Sequence, residues 1–241
     1  MTASSPQLPL ALRYPPDQQL DTFVSGDPAL VPQMRDFALA GVRRALYIAG
    51  APGTGKTHLA IALCAEAERL GRVAVYLPLR SVAGRLREAS EAAHRADVVA
   101  VDGADCIAGD RADEIALFDL HNRIQDAGRS VLYTGTTMPD ALGLVLPDLR
   151  SRLGQSARVL LPALDDAGRH ELLRLRAERR GLQVDAATID WLLRRVDRDV
   201  PALTAVLDRL DRESLASQRR LTVPFVRQVL ADDGWLAPPS V

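Results

Sequence analysis

The sequence predicts an α/β fold, a parallel sheet covered on both faces by helices, followed by a small all-helical unit. Three observations predict it. Up to residue 162, short apolar β-type runs alternate with stretches of helical spacing. Those runs are apolar throughout rather than alternating, as befits strands covered on both sides. After Pro162 only helical patterns remain.

The first 26 residues are rich in proline and polar groups. Pro6, Pro9, Pro15 and Pro16 block a helix there, so the segment is expected to run extended along or off the body. Asp27-Pro28 then offers an N-cap and a first-turn proline, and Leu30, Met34, Phe37 and Ala38 mark the apolar face of a helix ending at Gly41. Strands are expected at 45–49, 73–77, 98–101 and 130–134, with helices at 56–70, 79–93 and 114–126. A fifth strand, 158–161, follows a turn at 147–152. Helices at 164–180, 185–196, 200–217 and 224–230 complete the chain, separated by turns at Gly181 and around Asp197. Their charges are interleaved, as on a solvated surface, and no internal repeat is visible.

Composition narrows the function. The 241 residues carry 30 Lys+Arg against 31 Asp+Glu, a net charge of -1, which argues against a nucleic-acid binder held by a general basic surface. A hydrophobic content of 47% with only 4% aromatics supports an aliphatic core and excludes disorder. Cys64 and Cys106 are too few and too far apart for a disulfide framework or a structural zinc site, and read as reduced thiols. With no charged-then-apolar leader and no apolar run near the roughly 20 residues of a membrane span, the expected location is the cytoplasm.

The sole lysine of the chain, Lys56, stands in the most informative motif. Gly50-Ala51-Pro52-Gly53-Thr54-Gly55-Lys56-Thr57 follows an apolar strand and opens a helix at His58, the strand, G-x-x-x-x-G-K-T, helix context of a phosphate-binding loop. Its glycines let successive N–H groups and the helix N-terminus face an anion. Lys56 would set a point charge on the phosphates, and Thr57 would hold Mg²⁺ through its hydroxyl. ADP or ATP with Mg²⁺ is therefore the expected cofactor. The run Val98-Val99-Ala100-Val101-Asp102 supplies the second nucleotide element, an apolar strand ending in the carboxylate that steadies the metal, directly or through water. Gly103 follows where a second acid commonly polarises the attacking water. Asp105, two further on, either faces the site or is a capping or surface residue. Nucleotide binding is expected, with weak or no hydrolysis by the chain alone.

A phosphate-loop sheet followed by a small helical lid is the layout of AAA+ proteins, and divides the chain into an extended segment (1–26), a nucleotide-binding α/β domain (27–162), a helical lid (163–231) and a tail (232–241). In such proteins an arginine from a neighbouring subunit often completes the site. Arg152, in Leu146-Pro147-Asp148-Leu149-Arg150-Ser151-Arg152-Leu153 just before the last strand, stands where such a finger would project. Arginine stays charged and spreads over several phosphate oxygens.

The chain resembles the DnaA-homologous inactivator family, Hda, short relatives of the bacterial replication initiator DnaA. The resemblance is carried by Gln7-Leu8-Pro9-Leu10-Ala11-Leu12, by Val101-Asp102-Gly103-Ala104-Asp105-Cys106-Ile107-Ala108-Gly109-Asp110, by Phe118-Asp119-Leu120-His121-Asn122-Arg123-Ile124, by the segment around Arg152, and by Arg219-Arg220-Leu221-Thr222-Val223-Pro224-Phe225-Val226. It implies that the N-terminal peptide docks on the DNA polymerase III sliding clamp (its beta subunit), and that the body meets ATP-bound DnaA and stimulates its hydrolysis, preventing re-initiation, with ADP favouring the active form. The residues permit this: Leu8, Leu10 and Leu12 alternate, so an extended peptide puts all three on one side with Gln7 at its end. An edge strand packed on the sheet is the other reading of that peptide. Two positions depart from the DnaA-like pattern. Thr136 stands where relatives carry a sensor 1 aspartate, and Pro201 where a sensor 2 arginine is expected, with Arg198 a candidate substitute. A free-standing AAA+ ATPase such as a helicase loader is the competing function. The few residues after Leu230 leave no room for a helix-turn-helix domain, so a sequence-specific DNA binder is disfavoured. A homo-oligomer is left open, and the tail with Trp235 carries no reading.

Overall fold

The computed structural model describes Tyr14 and residues 17–41, 43–93 and 95–232. Five strands, β1 (Arg44–Gly50), β2 (Ala74–Pro78), β3 (Val98–Asp102), β4 (Ser130–Gly135) and β5 (Ala157–Leu161), form one sheet in the order β2-β3-β4-β1-β5. Every pairing is parallel, with Tyr47 opposite Tyr133 and Arg158, and Pro78 opposite Asp102. Side chains along these strands take turns between two cores. Tyr47, Ala49, Val99, Val101, Val131 and Tyr133 face one, and Leu46, Ile48, Val98, Ala100 and Leu132 face the other. Both sets are apolar because both faces are covered, which is why the strands read as continuous runs.

Helices α1 (Leu30–Leu39) and α2 (Lys56–Arg69) cover one face, and α4 (Leu86–Ala93), α5 (Arg111–Asp126) and α6 (Pro147–Gly154) the other. The helix expected over 79–93 is in fact two, α3 (Leu79–Val82) and α4, parted at Gly84, whose φ of 78° is left-handed. Asp113 locks this break by accepting the Gly84 and Leu86 N–H groups. The turn expected at 147–152 is also a correction: α6 is a helix with Pro147 in its first turn, where a missing N–H costs nothing, and Leu149 and Leu153 bury one face. Asp27 does not cap α1 as expected; its carboxylate takes the Ala29 N–H in a turn one step earlier. Nor are residues 17–26 simply extended. Leu20–Thr22 makes a 3₁₀ turn with Leu20 buried in the α1/α2 core.

Helices α7 (Asp166–Arg179), α8 (Ala186–Leu193), α9 (Val200–Ser217) and α10 (Val223–Asp232) build a third core around Leu173, Leu192, Leu207 and Phe225. Asp165, Asp185 and Asp199 each cap a helix N-terminus with their carboxylates. Among the described residues no helix is long and apolar enough to cross a membrane.

Candidate nucleotide site

The carboxyl ends of β1, β3 and β4 converge on one edge of the sheet, where open α/β sheets take their ligands. There β1 delivers the chain into the 50–55 loop, which turns through left-handed backbone at Gly53 (φ 79°) and Gly55 (φ 95°). A side chain at either position would be strained. Gly55 is the N-cap of α2 and no side chain caps that end, so its first-turn N–H groups are left to an incoming acceptor. Lys56 Nζ donates to the carbonyls of Gly50 at 2.6 Å and Ala51 at 2.8 Å, which holds the ammonium over the loop. Burial lowers its pKa from the ordinary value, against the opposing pull of Asp105 and Asp102.

On one side of the loop lies a cavity of about 410 Å³ whose lining includes Lys56, Thr57, Arg80, Asp102, Asp105 and Thr136. Asp102 is its hub. Its Oδ2 accepts the hydroxyls of Thr57 at 2.8 Å and Tyr76 at 2.9 Å, and its Oδ1 accepts Thr134 at 2.5 Å. Of the two readings of Asp105, the structure selects the one that faces the site, with Oδ1 accepting the Thr136 N–H at 2.9 Å. The Thr57 hydroxyl and Asp102 carboxylate form an all-oxygen pair of the kind hard divalent cations take, and among the described residues no cluster of His, Cys, Asp and Glu offers a dedicated cage. Tyr76 and Arg80 were missed in the sequence because neither belongs to a motif.

Across the loop is a second cavity of about 420 Å³, and Gly53, Lys56 and Thr57 line both. Its walls come from three places: Gln18 and Phe23 from the N-terminal segment, His58 from α2, and Arg176, Pro201 and Asp208 from the helical unit. His58 ties α2 to the segment. Its Nε2 lies 2.9 Å from the Gln19 carbonyl, which can only accept, so that nitrogen carries the proton. Its ring meets Phe23 edge-on at 5.2 Å. Burial pulls its pKa down to about 4, the Gln19 hydrogen bond opposing and the Arg176 charge adding. Arg180 ties the segment to the helical unit, reaching Asp17 at 2.9 Å and Asp208 at 2.6 Å.

Pro201 closes on the loop from above; a Cβ added at Gly53 would lie 3.4 Å from Pro201 Cδ. Arg198, the candidate substitute for a lid arginine, is not in this lining, and its guanidinium is turned to Asp166 at 3.4 Å. The arginine lining this cavity is Arg176. It is only 9% exposed and donates through Nη1 to the Thr204 hydroxyl.

Arg152 stands exposed in the last turn of α6, in the lining of neither cavity. Its helix is fixed at the other end by Glu114, buried on α5, whose carboxylate accepts the N–H groups of Gly109, Val145 and Leu146 at 2.8, 3.0 and 2.6 Å. The peptide residues Gln7, Leu8, Leu10 and Leu12, like Trp235, lie outside the described residues.

Two family models match. One, IstB-like ATP binding protein, covers residues 17–138, and the other, Hda lid domain, covers 166–230. The chain is a DnaA-related, Hda-like AAA+ protein of the IstB-like ATP-binding family. Solved structures agree on the fold. Domain III of the Thermotoga maritima replication initiation protein DnaA is 18% identical with a TM-score of 0.79, over 93% of this chain and 99% of that one. AMPPCP-bound DnaA from Aquifex aeolicus is 19% identical with a TM-score of 0.71, over 92% and 71%. The Thermotoga maritima RuvB Holliday junction branch migration motor is 18% identical with a TM-score of 0.63, over 91% and 72%. The helical unit of this Hda-like AAA+ protein is thus its lid, and the family assignment makes it a nucleotide-binding, DnaA-related replication regulator.

Proposed function

We propose that the protein restrains replication initiation by stimulating hydrolysis of the ATP held by the DnaA initiator, to which it presents Arg152 in trans. The observation that carries this reading is the position of Arg152. It is exposed at the end of a helix firmly anchored by Leu149, Leu153 and Glu114, yet lines neither cavity beside its own phosphate loop. An arginine so placed serves a neighbour's phosphates better than its own, and such fingers are worth about 10³ to 10⁵ in rate. In this scheme Gln7, Leu8, Leu10 and Leu12 dock on the DNA polymerase III sliding clamp, which brings the regulator to replicating DNA.

The protein's own nucleotide, ADP or ATP, serves as a switch. The loop Gly50-Ala51-Pro52-Gly53-Thr54-Gly55 and the start of α2 through His58 cradle the phosphates, Lys56 supplies the charge, and Thr57 with Asp102 holds Mg²⁺ directly or through water. When bound, that ion neutralises phosphate charge. Asp102 lacks an adjacent second acid, and Asp105 already spends one oxygen on the Thr136 N–H. Pro201 brings no cation where a lid arginine would stand. These features favour holding nucleotide over consuming it.

A second reading, a free-standing ATPase such as a helicase loader, is favoured by Asp105 facing the site and by the ATP-binding match over residues 17–138. One reconstitution separates them. Hydrolysis of DnaA-bound ATP is measured with clamp-loaded DNA and the ADP form of this protein, wild type or Arg152→Ala. Stimulation lost in the variant is expected. Equal stimulation by both proteins would remove Arg152 from the reaction, and brisk ATPase of this protein alone, indifferent to clamp, would favour the second reading.

A further inference from the structure

A third cavity, of about 370 Å³, lies on the lid where the turns after α7 and α9 meet. The two turns are joined beside it: the Leu221 N–H donates to the Gln183 carbonyl at 3.2 Å, and Val184 bridges to Leu221. The first turn carries Arg180. Its Nη2 is taken by Asp17 at 2.9 Å and Asp208 at 2.6 Å, while its Nη1 is buried and has no partner. The second turn carries Arg219 and Arg220, both exposed, and among the described residues neither pairs with a carboxylate; Arg219 lies instead over the Phe225 ring at 4.8 Å. Gln218, which opens that turn, is the only non-glycine residue among those described with left-handed backbone, at φ 50°. The Ser214 hydroxyl holds the turn by donating to the Arg219 carbonyl at 2.6 Å. Such backbone persists where its surroundings over-determine it, and here it delivers two consecutive arginines to one cavity. We infer that the cavity is a docking site for an acidic peptide segment of a protein partner. The site lies apart from the phosphate loop and does not depend on the nucleotide reading.

The lining selects that class of ligand. A carboxylate has about four lone-pair sites, enough for the unmatched donor of Arg180 and the forks of Arg219 and Arg220. Asp211 lines the same cavity and decides between a carboxylate and a phosphate. A phosphate monoester carries close to two charges and, with its protons lost, gives Asp211 nothing to accept. A peptide brings one charge per acidic side chain and backbone N–H groups that Asp211 can accept. Leu215, 72% exposed and also in the lining, offers an aliphatic surface to the side chain next to the acid. The occupant is therefore an acidic residue flanked by an aliphatic one. Because one guanidinium holds Asp17 and Asp208 and also lines this cavity, an occupant that fixes Arg180 steadies the N-terminal segment on the lid.

Amide NMR on the full chain tests this with the blocked peptide Ac-Leu-Glu-Leu-Glu-NH2, its neutral counterpart Ac-Leu-Gln-Leu-Gln-NH2 and inorganic phosphate, read at Gly181, Gln218 and Arg219. The acidic peptide should shift these amides, and that of Asp17 through Arg180. It should bind about tenfold tighter than the neutral peptide, the worth of one charge-assisted hydrogen bond, and the difference should shrink as salt is added. Arg219→Gln combined with Arg220→Gln, changes at two exposed residues, should bring the two peptides within about threefold of each other. Leu215→Ser should weaken both peptides alike; thermal melting of each variant confirms folding. The inference would be overturned by the absence of shifts at millimolar acidic peptide, by equal affinity for the two peptides in wild type, or by an unaltered preference in the double variant. Phosphate acting on the same amides as tightly as the acidic peptide would overturn it too, leaving a general anion site in place of a peptide site.

Discussion

Glu114 Oε2 accepts the Leu146 N–H at 2.6 Å, so a carboxylate with no exposed surface holds the residue from which the Arg152 helix starts. The same carboxylate holds Gly109, in the loop that leaves the Asp102 strand. Glu114→Ala would strand three backbone donors, at about 1 to 3 kcal/mol each when buried. Urea unfolding should show a loss of roughly 3 kcal/mol or more, with a smaller loss for Glu114→Gln. A loss under 1 kcal/mol would mean that water replaces the carboxylate. Stimulation of DnaA hydrolysis should fall in step, because α6 would no longer be aimed.

Lys56→Ala should abolish nucleotide binding in calorimetry with ADP. Lys56→Arg should not rescue it, since a planar fork cannot sit over the Gly50 and Ala51 carbonyls as a compact ammonium does. Unaltered ADP affinity in either variant would refute the phosphate-loop assignment.

The folded protein should lose stability as pH falls below neutrality. His58 is held at about 4 by burial, against about 6.5 in an unfolded chain. Between those values the unfolded state binds a proton that the folded state refuses, so stability is full above about 6.5 and declines as pH falls toward 4. The slope from His58 is about 1.4 kcal/mol per pH unit within the window. His121, pulled down to about 4 by burial and by Arg152, acts in the same direction. Unfolding in urea at pH 5 and pH 7 measures the decline. His58→Gln, which keeps a donor for the Gln19 carbonyl, should flatten it, and an unaltered slope would place the proton elsewhere.

Arg180→Met should free Asp17 from Asp208 and loosen the segment that walls the cavity between loop and lid. We expect ADP to bind less tightly, with a faster off-rate in stopped flow and little change in pyrophosphate affinity. Equal loss for both ligands would show that the bridge supports the loop rather than the segment and lid.

The strands were legible to within a residue or so because a two-sided core demands runs such as Val98-Val99-Ala100-Val101, which no helix face requires. The phosphate loop was legible because its chemistry is local, with Gly53, Gly55, Lys56 and Thr57 within five positions. What failed was context. Pro147 reads as a breaker and only its place in the first turn makes it a starter, while helical spacing runs across Gly84 as if the chain did not turn there. The ambiguity of Asp105 was resolved only by the Thr136 N–H, a partner 31 residues away. Arg176 was hidden among the chain's many arginines, since being buried without a full set of partners is a tertiary property that no spacing encodes.

The cavity that takes its walls from the N-terminal segment, α2 and the lid makes any occupant a fastener among three parts of the chain. For an occupant that binds only the clasped arrangement, free energy of binding is also free energy of clasping, about 2.7 kcal/mol at a hundredfold excess over Kd. An empty protein would differ from a loaded one less in its chemistry than in how firmly lid and sheet are clasped.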